Sequence, residues 1–391
     1  MIMSTRRPWV LSLFASLAAA SVAVTWLAAP DTYPYGSGDN VRAGVNHLIE
    51  RAPASAMLLT FAAVGILLTV IALRGGASRA ALRVAGAGAG AETLFFAFVM
   101  ADGSIMSSLG YVAALTAPVG VAVVVVLACR RWRPAGLVVV SLLLVLGAAG
   151  FASGALNTLG EAVATYLGSF TSDPEGYYVR IVWSWGMAAA AACWAWTAVA
   201  SLLRLQSHDR AAEASASWAR PASVRRWGRV VTIAAALGPV PYGLARLTWL
   251  TPWPLGGPGV DELVISMSLD AATRLRGSLF ALPCALGVIL TLGLISRWGE
   301  VFPRWVPVLS GRAVPVRLAV VPGTLMAAVI TISAPGFLLG SIESGDPREV
   351  AYSFFGMPFP VWGPLLGAAV FAYWLRRTRE PAAPVTAAGA S

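Results

Sequence analysis

Residues Leu237 to Leu250 read LGPVPYGLARLTWL and set a permanent cation, Arg246, inside an otherwise apolar run. Guanidinium groups hold carboxylates and phosphates through a planar fork of donors. Pro239 and Pro241, with Gly238 and Gly243, take hydrogen bonds out of a helix and predict a break or kink. Broken helices line binding sites in many transporters. A bilayer tolerates freed backbone groups and charge only where protein or water satisfies them. Arg246, Tyr242, Pro239 and Pro241 therefore form the candidate substrate-binding set, turned toward the inside of a bundle. Asp261 and Glu262 follow in the next loop and could draw in cations, although such residues are more often a solvated face.

Glu92 is the one acid in the middle of an apolar run. It lies nine residues beyond Arg83, about 13 Å deep at the helical rise. A lone carboxylate there is costly, so it should be protonated, paired or hydrated. Its functional reading is a proton or cation site, and its structural reading is a neutral, hydrogen-bonded glutamic acid. Gly86 and Gly90 make a GxxxG face for close helix packing. They do not make a dinucleotide loop, since no strand precedes them and the third glycine is misplaced.

Other chemistries lack their residues. The two histidines, His47 and His208, stand in no metal or nucleophile pattern, and no catalytic residue, resident metal or cofactor is expected. Cys129, Cys193 and Cys284 fall in or at the ends of apolar runs and read as small buried side chains rather than a disulfide framework.

The elements that must position these residues are membrane helices. Of 391 residues, 58% are hydrophobic and 12% charged, about half the charge of a soluble domain. A helix needs about 20 apolar residues to cross hydrocarbon. Ten runs approach that length: 9–29, 55–73, 84–101, 109–129, 135–153, 181–203, 230–249, 278–295, 318–339 and 361–375, the last being the shortest. No alternating strand pattern competes, so the expected fold is an all-α polytopic bundle. The net charge of +10 would suggest nucleic acid until it is mapped. The chain has no lysine. With the N-terminus in the cytoplasm, 21 of the 28 arginines fall on the cytoplasmic side and 13 of the 18 acids on the other. This positive-inside bias predicts cytoplasmic termini and a bilayer partner, not nucleic acid. The first run, about 20 residues long, is long for a signal-peptide core, so a retained first helix is expected.

Internal similarity organises the chain further. Arg6-Arg7, an apolar run and Thr25-Trp26-Leu27 return as Arg225-Arg226, an apolar run and Thr248-Trp249-Leu250. Gly65-Ile66-Leu67-Leu68-Thr69 returns as Gly287-Val288-Ile289-Leu290-Thr291, and Glu92-Thr93-Leu94 is met by Gly323-Thr324-Leu325. Spans one to four thus read as a four-helix unit repeated in spans seven to ten, in parallel orientation, with two spans inserted. The expected divisions are a first repeat over 1–134, an inserted pair over 135–206 and a cytoplasmic linker over 207–224. A second repeat over 225–379 and a disordered tail over 380–391 complete the chain. Segments 40–51, 156–170 and 261–276 pattern as short amphipathic helices on the outer surface. Trp298 to Arg317 reads as a headgroup-anchored loop.

The stretches PYGLARLTWLTPWPLG and RWGEVFPRWVPVLSGRAVP resemble segments of an uncharacterised family of multipass membrane proteins from high-GC actinobacteria. The resemblance implies a bacterial inner-membrane location and no activity, so no site residue follows from it. From the residues themselves, the leading expectation is a small-molecule or ion transporter with a cavity by the broken seventh span. The alternatives are a non-catalytic assembly or sensory partner, and then an intramembrane enzyme acting on lipid-type substrates.

Overall fold

The computed structural model describes residues 6–35, 44–74, 79–106, 108–110, 177–208, 220–251, 277–278, 280–303 and 309–379, with a few isolated positions between. These residues form ten α-helices. They are α1 (Arg7–Ala28), α2 (Arg51–Arg74), α3 (Arg79–Phe95), α4 (Tyr177–His208), α5 (Pro221–Leu237), α6 (Val240–Thr248), α7 (Ala281–Gly293), α8 (Val316–Glu343), α9 (Pro347–Phe355) and α10 (Phe359–Arg379). A single antiparallel bridge, Val301 to Ala313, is the only strand pairing among the described residues.

Seven helical stretches are long and apolar enough to cross a membrane, so the chain is an all-helical membrane protein. The expected runs 109–129 and 135–153 lie outside the described residues. The run 278–295 yields α7, only 13 residues, about 20 Å at the helical rise and short of a full crossing. The shortest run, 361–375, instead extends to the 21 residues of α10. The segment 40–51 is described from Gly44 onward, and there it makes a 3₁₀ turn, Val45–Leu48, before α2 begins. The segments 156–170 and 261–276 lie almost wholly outside the described residues.

The chain divides into two compact units. Unit 1 takes residues 1–109, 172–215 and 332–350, and unit 2 takes 110–171, 216–331 and 351–391. In unit 1, α1 packs on α2 and α4, and α3 packs on α4 and α2. The faces are inverted relative to a soluble protein. Trp9, Ser12, Ser16, Ala19, Ala23 and Trp26 of α1 are buried at three- and four-residue spacing, while Leu11, Phe14, Leu17 and Val24 are exposed. Small and polar residues let backbones approach, and large apolar ones face lipid. Ser12 and Thr197 share a 2.9 Å hydrogen bond between α1 and α4. On α3 the close contacts are Gly86, against Ser201 of α4, and Gly88, against Leu68 of α2; a side chain on Gly90 would meet open space. The expected GxxxG pairing thus keeps its first glycine and shifts its second contact to Gly88.

In unit 2, α5 packs on α10 and α7, and α6 packs on α7. The segment after α7 folds back on itself. Phe302 donates its backbone N–H to the Arg312 carbonyl, and Val314 donates to Glu300, both at 2.9 Å. Gly311 turns the chain at a φ of +73°, a conformation that favours glycine. The end of α10 clamps this segment. The Tyr373 hydroxyl donates to the Gly299 carbonyl at 2.8 Å and Arg377 Nη2 to the Val314 carbonyl at 2.8 Å. Arg376 donates to the Leu294 carbonyl and pairs with Glu300 at 3.4 Å.

Packing of this kind leaves little slack in unit 1. A Cβ on Gly65 would collide with Ser16 Oγ and stand 2.7 Å from Trp194 Cζ2. Gly65→Ala should therefore lower stability by about 1–3 kcal/mol through overpacking. Gly90→Ala should be neutral or stabilising, since alanine favours helix by about 1 kcal/mol. Thermal unfolding of the two variants in detergent tests the contrast.

Candidate functional site

The expected break in the seventh span is present. α5 ends at Leu237, and α6 starts at Val240. Gly238 and Pro239 stay in right-handed helical geometry, so the chain kinks without unwinding. Proline explains the interruption: Pro239 and Pro241 bring no N–H to the ladder. Gly238 instead donates back three residues to the Ala235 carbonyl at 3.1 Å. The kink lies directly under the Trp362 indole of α10, where a side chain on Gly238 would collide with the ring.

Beyond the kink, α6 carries Arg246 into an aromatic cage. Its guanidinium carbon lies 4.2 Å from the Trp249 ring centre, 4.8 Å from Tyr242 and 5.6 Å from Phe280. Each such contact contributes about 0.5–2 kcal/mol. The Tyr242 hydroxyl lies within electrostatic reach of the Arg246 side chain. Tyr352 and Cys284 lie within electrostatic reach of Arg246. Cys284 is held there because Gly243 lets α6 approach α7: a Cβ on Gly243 would stand 3.0 Å from the Cys284 Cβ. Arg246 Nε is buried and has no hydrogen-bond partner, and no carboxylate pairs with Arg246 among the described residues. One cation, two phenol hydroxyls, a thiol and no acid make an arrangement suited to an anion.

Of the sequence candidates, Arg246, Tyr242, Pro239 and Pro241 come together in unit 2. Glu92 belongs to unit 1. Asp261 and Glu262 lie outside the described residues. Tyr352 and Cys284 had no signal in the sequence, because both are remote in the chain from the α6 run they join.

A second polar cluster, in unit 1, is one the sequence reading counted only as loop charge. After α3 the helix widens into a π turn, Phe96–Met100, and releases Asp102 into the protein interior. Asp102 Oδ2 accepts from the Tyr35 hydroxyl at 2.8 Å. Its Oδ1 accepts from Ser184 Oγ and the Ser104 backbone N–H, each at 2.8 Å, and from Ser104 Oγ. Arg180 lies over the Tyr35 ring at 5.4 Å. Trp183 Nε1 donates to the Met100 carbonyl at 2.7 Å and fixes the turn to α4. Gly44 admits no side chain, since its Cβ would stand 2.6 Å from that of Asp102. The signal available in the sequence was Asp102-Gly103-Ser104 at the end of an apolar run, a turn in which the aspartate bonds its own chain two residues on.

Glu92 is also in unit 1, on the buried face of α3. It is 1% exposed, and neither carboxyl oxygen has a hydrogen-bond partner among the described residues. No group of three or more histidine, cysteine or acidic side chains gathers as a metal site among the described residues. No family model, curated protein or solved structure matches this chain.

Tyr35 gives the unit 1 cluster a measurable signature. Burial, then the Asp102 charge and the bond to it, push its hydroxyl well above the ordinary value of 10. A folded value above the unfolded one adds stability that is complete below about pH 10 and fades as pH climbs toward the folded value. Tyr35→Phe should cost about 1–3 kcal/mol at neutral pH, since it removes a buried donor to Asp102. The variant should then lose less than the wild type above about pH 10. Denaturation midpoints in detergent, measured against pH, report both effects.

Proposed function

We propose that this membrane protein is a small-molecule transporter that takes an anionic substrate at Arg246. The observation that carries the reading is the half-buried guanidinium of Arg246, ringed by Trp249, Tyr242 and Phe280, with a buried Nε left without a partner. Arg377 also leaves its Nε unpartnered but spends Nη2 on the Val314 carbonyl, whereas the Arg246 guanidinium makes no hydrogen bond among the described residues. Here the tyrosine hydroxyls of Tyr242 and Tyr352 stand ready to join the guanidinium on a carboxylate or phosphate. The three rings flank the guanidinium, whose planar fork matches a carboxylate or phosphate.

The topology proposed with it has ten spans, cytoplasmic termini and a bacterial inner-membrane setting. The arginine bias and the family resemblance support that setting. A parallel repeat of spans one to four in spans seven to ten is supported by a detail of hydrogen bonding. Arg51 Nη1 donates to the Trp26 carbonyl at 2.9 Å, and Arg274 Nε donates to the Trp249 carbonyl at 3.0 Å. Each tryptophan is the centre of a Thr-Trp-Leu triplet, and each arginine follows its tryptophan by 25 residues.

The test uses purified full-length protein in lipid nanodiscs with inorganic phosphate, acetate and succinate as probes. At least one anion should raise the melting temperature of the wild type. Arg246→Ala should weaken that binding by about tenfold to about a hundredfold, the worth of a charged hydrogen bond. Arg246→Lys should recover only part, since it keeps the charge and loses the fork. Equal binding by the alanine variant removes Arg246 from the site.

A further inference from the structure

We propose that unit 1 holds a proton-binding station at Glu92, level with unpartnered polar atoms of Ser16 and Trp194 and flanked along α4 by a file of buried polar groups with one apolar gap. This names the driving ion for the transport reading, and it rests on that reading for its purpose only.

The file begins with the spacing on α4. Ser184, Trp194, Thr197 and Ser201 are all buried and share one helical face. From Ser184 to Ser201 is 17 residues, about 26 Å along the axis and close to the hydrocarbon thickness of about 30 Å. Between Ser184 and Trp194 that face is apolar, carrying Met187, Ala190 and Ala191.

Glu92 sits at the Trp194 end of that apolar stretch. Two contacts set the register of α3 against α4. Trp183 bonds Met100 at one end, and Gly86 meets Ser201 at the other. The helices are antiparallel, so Glu92 falls level with positions 191–195 of α4. On α1 the Ser12 to Thr197 bond and the Trp26 to Trp183 ring contact at 4.7 Å place Ser16 at the same level. Gly65 of α2 abuts both Ser16 and the Trp194 ring.

Three side chains at that one level have buried polar atoms with no partner among the described residues: both oxygens of Glu92, Ser16 Oγ and Trp194 Nε1. The buried hydroxyls on either side of that level are bonded: Thr69, Thr197 and Ser201 to their own helix carbonyls, and Ser184 to Asp102. An ionisable group buried within a membrane span marks a proton or ion site. On one side of Glu92 the Ser12–Thr197 pair and Ser201 continue the file. On the other side, beyond the apolar stretch of Met187, Ala190 and Ala191, Ser184 leads to Asp102, Ser104 and Tyr35.

The charge state of Glu92 is set locally. α1 and α2 carry no titratable side chain between Arg7 and the far end of α1, or between Arg51 and Arg74. α4 offers only Cys193 between Arg180 and Arg204. With no basic neighbour to balance a carboxylate, Glu92 gains its neutral form by binding a proton at one oxygen and loses it by passing that proton along the file.

The test needs no substrate. Wild-type protein in phosphatidylethanolamine–phosphatidylglycerol vesicles is titrated from about pH 5 to about pH 10, a range that brackets buried glutamates. Infrared difference spectra should show a carboxylic C=O band that fades reversibly as pH rises and shifts in D2O. Glu92→Gln should lack the band, and Glu92→Asp should restore one at a shifted position. Dicyclohexylcarbodiimide, an apolar reagent for protonated carboxyls, gives a second reading on the wild type alone. Mass spectrometry should find Glu92 modified at low pH and several-fold less at high pH. A band that ignores pH or survives in Glu92→Gln, or labelling that is absent or equal at every pH, overturns the proposal. Arg246→Ala should leave the Glu92 titration intact, so loss of anion binding and loss of proton binding fail separately.

Discussion

A polar group in hydrocarbon costs several kcal/mol unless another group meets it, and that cost governs every feature of this protein. It forces the backbone into helices. It turns Ser12, Ser16, Thr69, Thr197 and Ser201 inward, and it leaves Leu11, Phe14, Val84 and Val182 outward. It also explains how the chain handles exceptions. The kink at Gly238–Pro239 is covered by the Trp362 indole. The end of α6 is closed by Arg274, whose guanidinium takes the Trp249 and Thr251 carbonyls at 3.0 and 2.6 Å. Asp102 enters the interior only with Tyr35, Ser104 and Ser184 around it.

Against that background the unpaired groups stand out. Asp102 and Glu92 are both nearly inaccessible acids of unit 1, 2% and 1% exposed. One has four donors and the other none. The first is a structural joint that ties the π turn to α4 and to the Tyr35 segment. The second is a group whose protonation state the fold has not fixed by bonding. Unit 2 shows the complementary case, a guanidinium held by rings rather than by acids. In unit 1 the tyrosine under an arginine, Tyr35, also bonds an aspartate. In unit 2, Tyr373 lies under Arg376, which pairs with Glu300, whereas Tyr242 lies under Arg246 with no ion pair to an acid among the described residues.

Much of this could be read from residue types. The lengths of apolar runs gave the helical membrane class, and the proline pair located the kink within a residue or two. Arg246 and Tyr242 were legible because a charge in an apolar run demands a reason. Tyr352 and Cys284 were not, since helix-to-helix packing alone brings them to Arg246. The Asp102 cluster was missed for a different reason. Asp102 follows an apolar run and looks like a solvated loop acid, whereas the π turn redirects it inward. Run length did not show where the helix at 278–295 ends: the described α7 has 13 residues, and Leu294 to Ser296 close with turn bonds rather than continuing it. The level shared by Glu92, Ser16 and Trp194 depends on interhelical register, which no periodicity encodes.

The arginine caps on α1 and α6 have a consequence for how the protein meets its lipids. Arg51 and Arg274 each spend their donors on the carbonyl end of a neighbouring helix, where the backbone dipole is negative. The donors engaged in this way are closed to a phospholipid phosphate. These two ends of the protein should therefore be indifferent to whether the surrounding leaflet is anionic or zwitterionic. Sensitivity to headgroup charge would then be concentrated where arginines cluster without such internal duties.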